Sequence, residues 1–195
     1  MMEAVMVDAA AQAFLDFWFD KESKARWFNS TKAFDATCRE QALHLLDRAW
    51  DGELDGWATT ARGALALVIL LDQMPRNIFR GTARAFAFDG KARMASAKAL
   101  GAGQDGELDK VQRSFLYMPF EHSEDPADQR RSVELFAALG DPVKLDYALQ
   151  HQAIIERFGR FPHRNKALGR ESTPGELAYL AAGSNKGFQR SQDPA

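Results

Sequence analysis

Residues 64–71 read Ala-Leu-Ala-Leu-Val-Ile-Leu-Leu, eight apolar side chains in a row, and the next residue is Asp72. At helical spacing such a run is apolar on every side. The helix that carries it must therefore be surrounded by other elements rather than rest one stripe on a core. It is far short of the roughly 18 residues that cross a bilayer. A buried central helix over about residues 59–73 follows, and with it a fold in which helices pack around a helix. The remaining periodicity agrees. Tyr147, His151, Ile154, Ile155 and Phe158 recur at i, i+4, i+7, i+8 and i+11, one face of a helix, and period-2 alternation is hard to find.

Helix starts are marked by their chemistry. Asp141-Pro142 and Asp125-Pro126 each place a carboxylate where it can cap free amides and a proline in the first turn, where its missing N–H is not needed. Thr173-Pro174-Gly175-Glu176 reads as a capping box. Further helices are expected over about 8–19, 32–50, 90–100, 107–118, 126–139 and 141–158, eight or nine in all. Asp89 is expected to cap the helix that begins at residue 90, and 101–106 forms a Gly-rich loop. With 195 residues the chain suits one domain, here 1–183, followed by a polar tail at 184–195 that lacks periodicity.

Composition narrows the function classes. A formal charge of −2 leaves no excess of Lys and Arg to draw the chain onto nucleic acid or an anionic membrane, so neither is expected as a partner. One cysteine, Cys38, rules out an internal disulfide framework and a multi-cysteine zinc site; it lies on an apolar stripe with Phe34 and Ala42 and is expected to pack as a small hydrophobe. The N-terminus lacks a basic leader segment, so cytoplasm is the expected location. Nucleotide binding by a Rossmann fold is excluded, because the glycines of 101–106 follow a helix rather than a strand, and no cofactor is expected. All four tryptophans fall in the first 57 residues and are expected to plug the N-terminal end of the fold.

A proline directly follows a bulky apolar residue at Met74-Pro75, Met118-Pro119 and Phe161-Pro162, at intervals of 44 and 43 residues. Each is read as the end of a helix, and the near-constant interval suits a two-helix repeat, three hairpins in series. Around these marks the chain becomes dense in polar groups: LLDQMPRNIFR, PFEHSED and FGRFPHRN. Two basic turns flank an acidic one, and stacked hairpins would bring all three to a common groove.

The strings LLDQMPRNIFRGTARAFAFD, SFLYMPFEHSED followed by SVELF, and FGRFPHRNKALGRESTPGE, together with FLDFWF, ARWFN and AFDA near the N-terminus, resemble the bacterial family known as domain of unknown function 924. The resemblance covers nearly the whole chain. It implies an all-α fold of the tetratricopeptide-like kind, a right-handed superhelix of antiparallel helical hairpins, and it brings no activity with it.

The residues then speak for themselves. Arg76, Arg80, Arg160 and Arg164 offer planar forks suited to carboxylate or phosphate. Asn77 and Asn165 can read a neighbouring carbonyl or hydroxyl, and His163 can donate when protonated. With Asp72, Glu121 and His122 these ten residues form the candidate binding set, for a small anionic molecule or an acidic peptide terminus. A second reading is an acid/base or metal-assisted hydrolase using Glu121, His122 and His163, although no recognised metal-ligand spacing is present and no metal site is expected. In a third the turns are purely structural: Arg76, Arg160 and Arg164 pair with Asp72, Glu121 and Glu124, and the protein is a scaffold. His151 is expected to be a core or groove-lining histidine with a backbone partner, and His44 to be solvated.

Overall fold

A computed structural model describes residues 6–182, so the tail expected at 184–195 lies outside the described residues. Among the described residues the chain forms nine α-helices and no strand: α1 Ala9–Trp18, α2 Lys21–Lys24, α3 Lys32–Trp50, α4 Ala61–Ile78, α5 Asp89–Gly101, α6 Lys110–Glu121, α7 Pro126–Leu139, α8 Pro142–Phe158 and α9 Pro174–Ala181. The caps explain most of the boundaries. Asp125 accepts from the Ala127 amide at 2.7 Å and Asp141 from the Val143 amide at 3.0 Å. Thr173 and Glu176 close a reciprocal capping box at α9. Gly140 and Gly159, both near φ +69°, end α7 and α8 in the left-handed conformation.

The apolar run lies in α4, whose residues 63–75 are all buried. α4 packs against α1, α3, α5 and α6, which is what a helix apolar on all sides requires. Its first turn passes so close to the preceding 3-10 turn that a Cβ on Gly63 would sit 2.0 Å from the Trp57 carbonyl; only glycine fits there. Consecutive helices pack on each other from α3 to α8, and α4 touches α6 as α6 touches α8. Those contacts bring the C-terminal ends of α4 and α6 to the segment that follows α8.

Two expectations change in detail. Pro75 and Pro119 do not follow their helices but sit inside the last turn of α4 and α6. A proline's φ is already helical, and the ladder bond it removes leaves one carbonyl to satisfy near the end of each helix. In α4 the turn is held by Arg76, whose guanidinium donates to the Asp72 carbonyl, and by the Phe79 amide on the Pro75 carbonyl at 2.9 Å. Pro162, by contrast, opens a separate 3-10 turn, so the third mark is not equivalent to the first two. Asp89 is the first residue of α5 rather than its cap, and its carboxylate is used elsewhere.

The N-terminal aromatic plug forms from Trp18 and Trp27, which pack on Phe115 at 5.7 and 4.7 Å between ring centroids. Trp57 is buried before α4, whereas Trp50 is 54% exposed beside Phe88 and lies outside the plug. Cys38 is fully buried, and burial pushes its thiol up to about 12, so it packs as expected. His44 is exposed.

Candidate functional site

The ends of α4 and α6, the first turns of α8 and the 3-10 turn Pro162–Arg164 enclose a cavity of about 450 Å³. That volume lies within the range of small-molecule sites. Aromatic and aliphatic side chains make much of its wall, among them Trp27, Phe28, Phe86 and Phe136. Set into that wall are four basic side chains, Arg76, Arg80, Lys144 and Arg164, and three imidazoles, His122, His151 and His163. The acids on the lining are Glu121 and Asp141, and the Asp141 carboxylate caps α8.

The carboxylates that balance the arginines stand behind the wall. Arg76 donates in bidentate fashion to Asp89 at 2.9 and 3.0 Å and lies 3.4 Å from the Asp72 carboxylate. Arg164 reaches Asp89 at 3.4 Å and the His122 carbonyl at 2.9 Å, and its guanidinium lies over the rings of Phe86 and Phe161. The Arg164 Nε–H is buried without an acceptor among the described residues. Arg80 forks onto Asp35 at 2.8 and 2.9 Å, and Asn77 donates to the same carboxylate at 2.8 Å. Asp35, Asp72 and Asp89 are absent from the cavity wall. Lys144 takes part in no ion pair among the described residues; its ammonium lies 5.8 Å from the Phe28 ring centre.

At the floor, burial dictates protonation. Asp72 is 1% exposed, and burial alone would raise its carboxyl, but Arg76 and His122 hold it well below the usual carboxylate range. It accepts from His122 Nδ1 at 2.8 Å, which anchors the imidazole by one nitrogen while the residue lines the cavity. Burial lowers His122, Asp72 pulls it back and Arg76 opposes, with a net value below the ordinary one. Glu121, the preceding residue, has no arginine partner. Burial pushes it up to about 8, with Lys144 opposing only in part and Asp72 adding to the rise. It is therefore a neutral acid at pH 7. Its Oε1 is 3.3 Å from His151 Nδ1. His151 Nδ1 also lies 2.8 Å from the Tyr147 carbonyl, as expected of a groove histidine with a backbone partner, and burial drives it down to about 3. His163 is likewise held well below its ordinary value by burial and by Arg164.

Seven of the ten expected residues thus meet on one wall: Arg76, Asn77, Arg80, Glu121, His122, His163 and Arg164. Asp72 stands directly behind them. Arg160 and Asn165 turn away. Arg160 forks onto Glu176 at 2.7 and 2.9 Å and so ties down α9. Asn165 is buried between Ser172 and Arg170. The 3-10 turn carries His163 and Arg164 to the cavity wall, whereas Arg160, before it, and Asn165, after it, are claimed by Glu176, Ser172 and Arg170 instead. The pairings expected of a purely structural turn also change. Arg76 does meet Asp72, but it shares Asp89 with Arg164, and Glu124 goes to Arg170 at 2.8 and 3.0 Å. Sequence reading did not assign Asp89, Lys144 or the Trp27-Phe28 wall to the site. Lys144 and Tyr147 could have been found, because they extend the His151 stripe of α8 by helical steps. Among the described residues no group of three or more His, Cys, Asp or Glu is placed to hold a metal ion, and no helix is long and apolar enough to cross a membrane.

The model of a family described as a bacterial protein of unknown function, DUF924, matches residues 14–184. The chain belongs to this family. Membership agrees with the motifs around the three turns, and it spans every element that builds the cavity. The DUF924 chain is also similar to the solved structure of a protein of unknown function, ATU0120 from Agrobacterium tumefaciens, with a TM-score of 0.86 and 43% identity over 90% of this chain and 98% of that one. No curated protein matches.

Proposed function

We propose that the protein binds a small organic anion, an apolar or aromatic body bearing one acidic group, in the cavity between α4, α6 and α8. The observation that carries this reading is the sidedness of the charge. Arg76, Arg80, Lys144 and Arg164 face the cavity while Asp35, Asp72 and Asp89 stand behind them. Glu121 adds no negative charge at neutral pH because burial keeps its proton on. A carboxylate entering from the mouth therefore meets donors set among aromatic walls. The volume supports a small molecule over a folded peptide end. Lys144, without a carboxylate of its own, is the group best placed to take the acidic head, and Trp27 and Phe28 the ring.

The test compares phenylacetate with phenylacetamide, which share a ring and differ in charge. The acid should raise the melting temperature and give a saturable calorimetric titration, since a ligand selective for the native state stabilises by mass action. The amide should do neither, and Lys144→Ala should weaken the acid about tenfold. Equal binding of acid and amide, or of acid to Lys144→Ala and the unaltered chain, overturns the reading.

A further inference from the structure

Asp72 and His122 have more order than binding needs. A carboxylate that is 1% exposed holds one imidazole nitrogen of His122 at 2.8 Å, and the residue so anchored lines a cavity. This is how proteins fix the tautomer and direction of a histidine that accepts a proton. The next side chain back along α6, Glu121, opens into the same cavity with no arginine on it. A proton acceptor and a proton donor thus face one small space whose wall is basic.

Building on the binding reading above, we propose that the cavity catalyses proton transfer at the carbon next to a carbonyl in a small organic acid. His122 is the base, Glu121 the acid and Asp72 the residue that positions His122. In the step, His122 Nε2 takes the proton from carbon, the C–H electron pair becomes the C=C bond, and the carbonyl π pair moves onto oxygen, which takes the Glu121 proton. The products are the enol, an imidazolium and a carboxylate; reversal returns a proton to carbon. No oxidant, reductant or nucleophile is needed. The substrate class follows from the walls: an acidic head for Lys144, an apolar body for Trp27 and Phe28, and a carbonyl at the floor, where Arg164 and Arg76 can stabilise developing oxyanion charge. His122 is the candidate base rather than His151, because His151 Nδ1 lies against a backbone carbonyl and its ring is too weakly basic.

Protonation states agree with these roles. His122 faces Asp72 and Arg76 of α4, Asp89 of α5, His151 of α8, and Arg164 and His163 of the turn after α8, and burial holds it below its ordinary value. Glu121 faces Lys144 and His151 of α8 and Asp72 of α4, and keeps its proton up to about 8. Exchange should therefore follow a bell-shaped pH profile whose alkaline limb lies near 8.

The experiment incubates the full chain with phenylpyruvate and with 2-oxo-4-phenylbutanoate in deuterated water at neutral pH. Proton NMR follows loss of the C3 signal, and saturation transfer to the ring protons reports binding in the same tube. The expected result is binding together with exchange well above the buffer rate. His122→Ala should reduce exchange by about 100-fold or more, and added imidazole should restore part of it, which a merely structural histidine would not allow. Asp72→Asn should slow exchange and displace the acid limb of the profile. Binding without exchange overturns the chemistry and leaves the binding reading intact; binding of neither acid overturns both. Exchange that survives in His122→Ala, or a loss that imidazole does not mend, overturns the assignment of His122. Should His122→Ala fail to fold, the profile of the unaltered chain decides, since an exchange rate flat from pH 5 to 9 contradicts both assigned groups.

Discussion

Replacing Glu121 by glutamine tests the protonation of the cavity floor without knowing any ligand. The unfolded chain ionises this carboxyl near its ordinary value of 4.5, whereas in the native state burial pushes it up to about 8. Between those values the native state holds a proton that the unfolded state has released, so its stability falls as pH rises, by about 1.4 kcal/mol for each pH unit. The sign is that of a raised native pKa: the contribution is fully present below pH 4.5 and is lost as pH climbs through 8. At pH 7 about 3 kcal/mol has gone, and above pH 8 about 5. Glutamine has nearly the same shape and never ionises. Its stability relative to the unaltered chain should therefore improve by about 3 kcal/mol between pH 4.5 and 7, on the order of 10 °C in melting temperature for a chain of this size. Urea titrations of both proteins at pH 4.5, 6, 7 and 8.5 measure the difference directly. His151 and His163, which are also shifted by burial, are present in both chains and drop out of the comparison. A difference that stays constant from pH 4.5 to 8.5 refutes the reasoning, because it means that water reaches the carboxyl and the floor of the cavity is not dry.

Asp89→Asn leaves Arg76 and Arg164 without their shared carboxylate and should destabilise by about 3 kcal/mol in urea unfolding, as expected when one partner of a largely buried ion pair is removed. A loss below 0.5 kcal/mol would mean that the two arginines are well solvated. Arg160→Ala should lower the melting temperature through the loss of Glu176 and leave phenylacetate binding unchanged, since Arg160 is not on the cavity wall; a weakened titration contradicts that placement. Gly159→Ala should cost about 1 kcal/mol from the left-handed φ of +69° alone, because an added Cβ meets nothing within 4 Å. Gly90→Ala in the first turn of α5, equally open and with no such φ, should stabilise slightly, by about 0.5 kcal/mol. Equal effects at the two glycines would show that backbone strain does not separate them.

Helices were legible wherever a local signal and the apolar period agreed. The Asp-Pro starts place α7 and α8 to the residue, and the octet at 64–71 identifies the central helix because no exposed helix can be apolar all round. Where the local signal misled, tertiary contact had overridden it. Asp89 carries the sequence mark of a helix cap, but two arginines, 13 and 75 residues away along the chain, claim its carboxylate instead. No local pattern encodes a partner at that distance. The candidate site was legible as three polar turns because proline and a bulky apolar neighbour mark where each helix end meets its successor. Which side chains of a turn face inward was not legible, since one residue of rotation on a 3-10 turn separates Arg164, on the wall, from Asn165, behind it.

The same geometry explains why the charges sort as they do. An arginine is long enough to reach the cavity and still anchor its guanidinium on a carboxylate behind the wall, whereas an aspartate is short and stays where its backbone puts it. Asp35, Asp72 and Asp89 are therefore held behind the cavity by chain geometry, and Arg76, Arg80 and Arg164 are carried to its face. The one longer acid on the lining, Glu121, has no such anchor and keeps its proton instead. Side-chain length thus gives the cavity a basic face and one neutral acid, Glu121, while the other acid on the lining, Asp141, spends its carboxylate on the α8 amides, which is the condition that both the binding and the proton-transfer readings require.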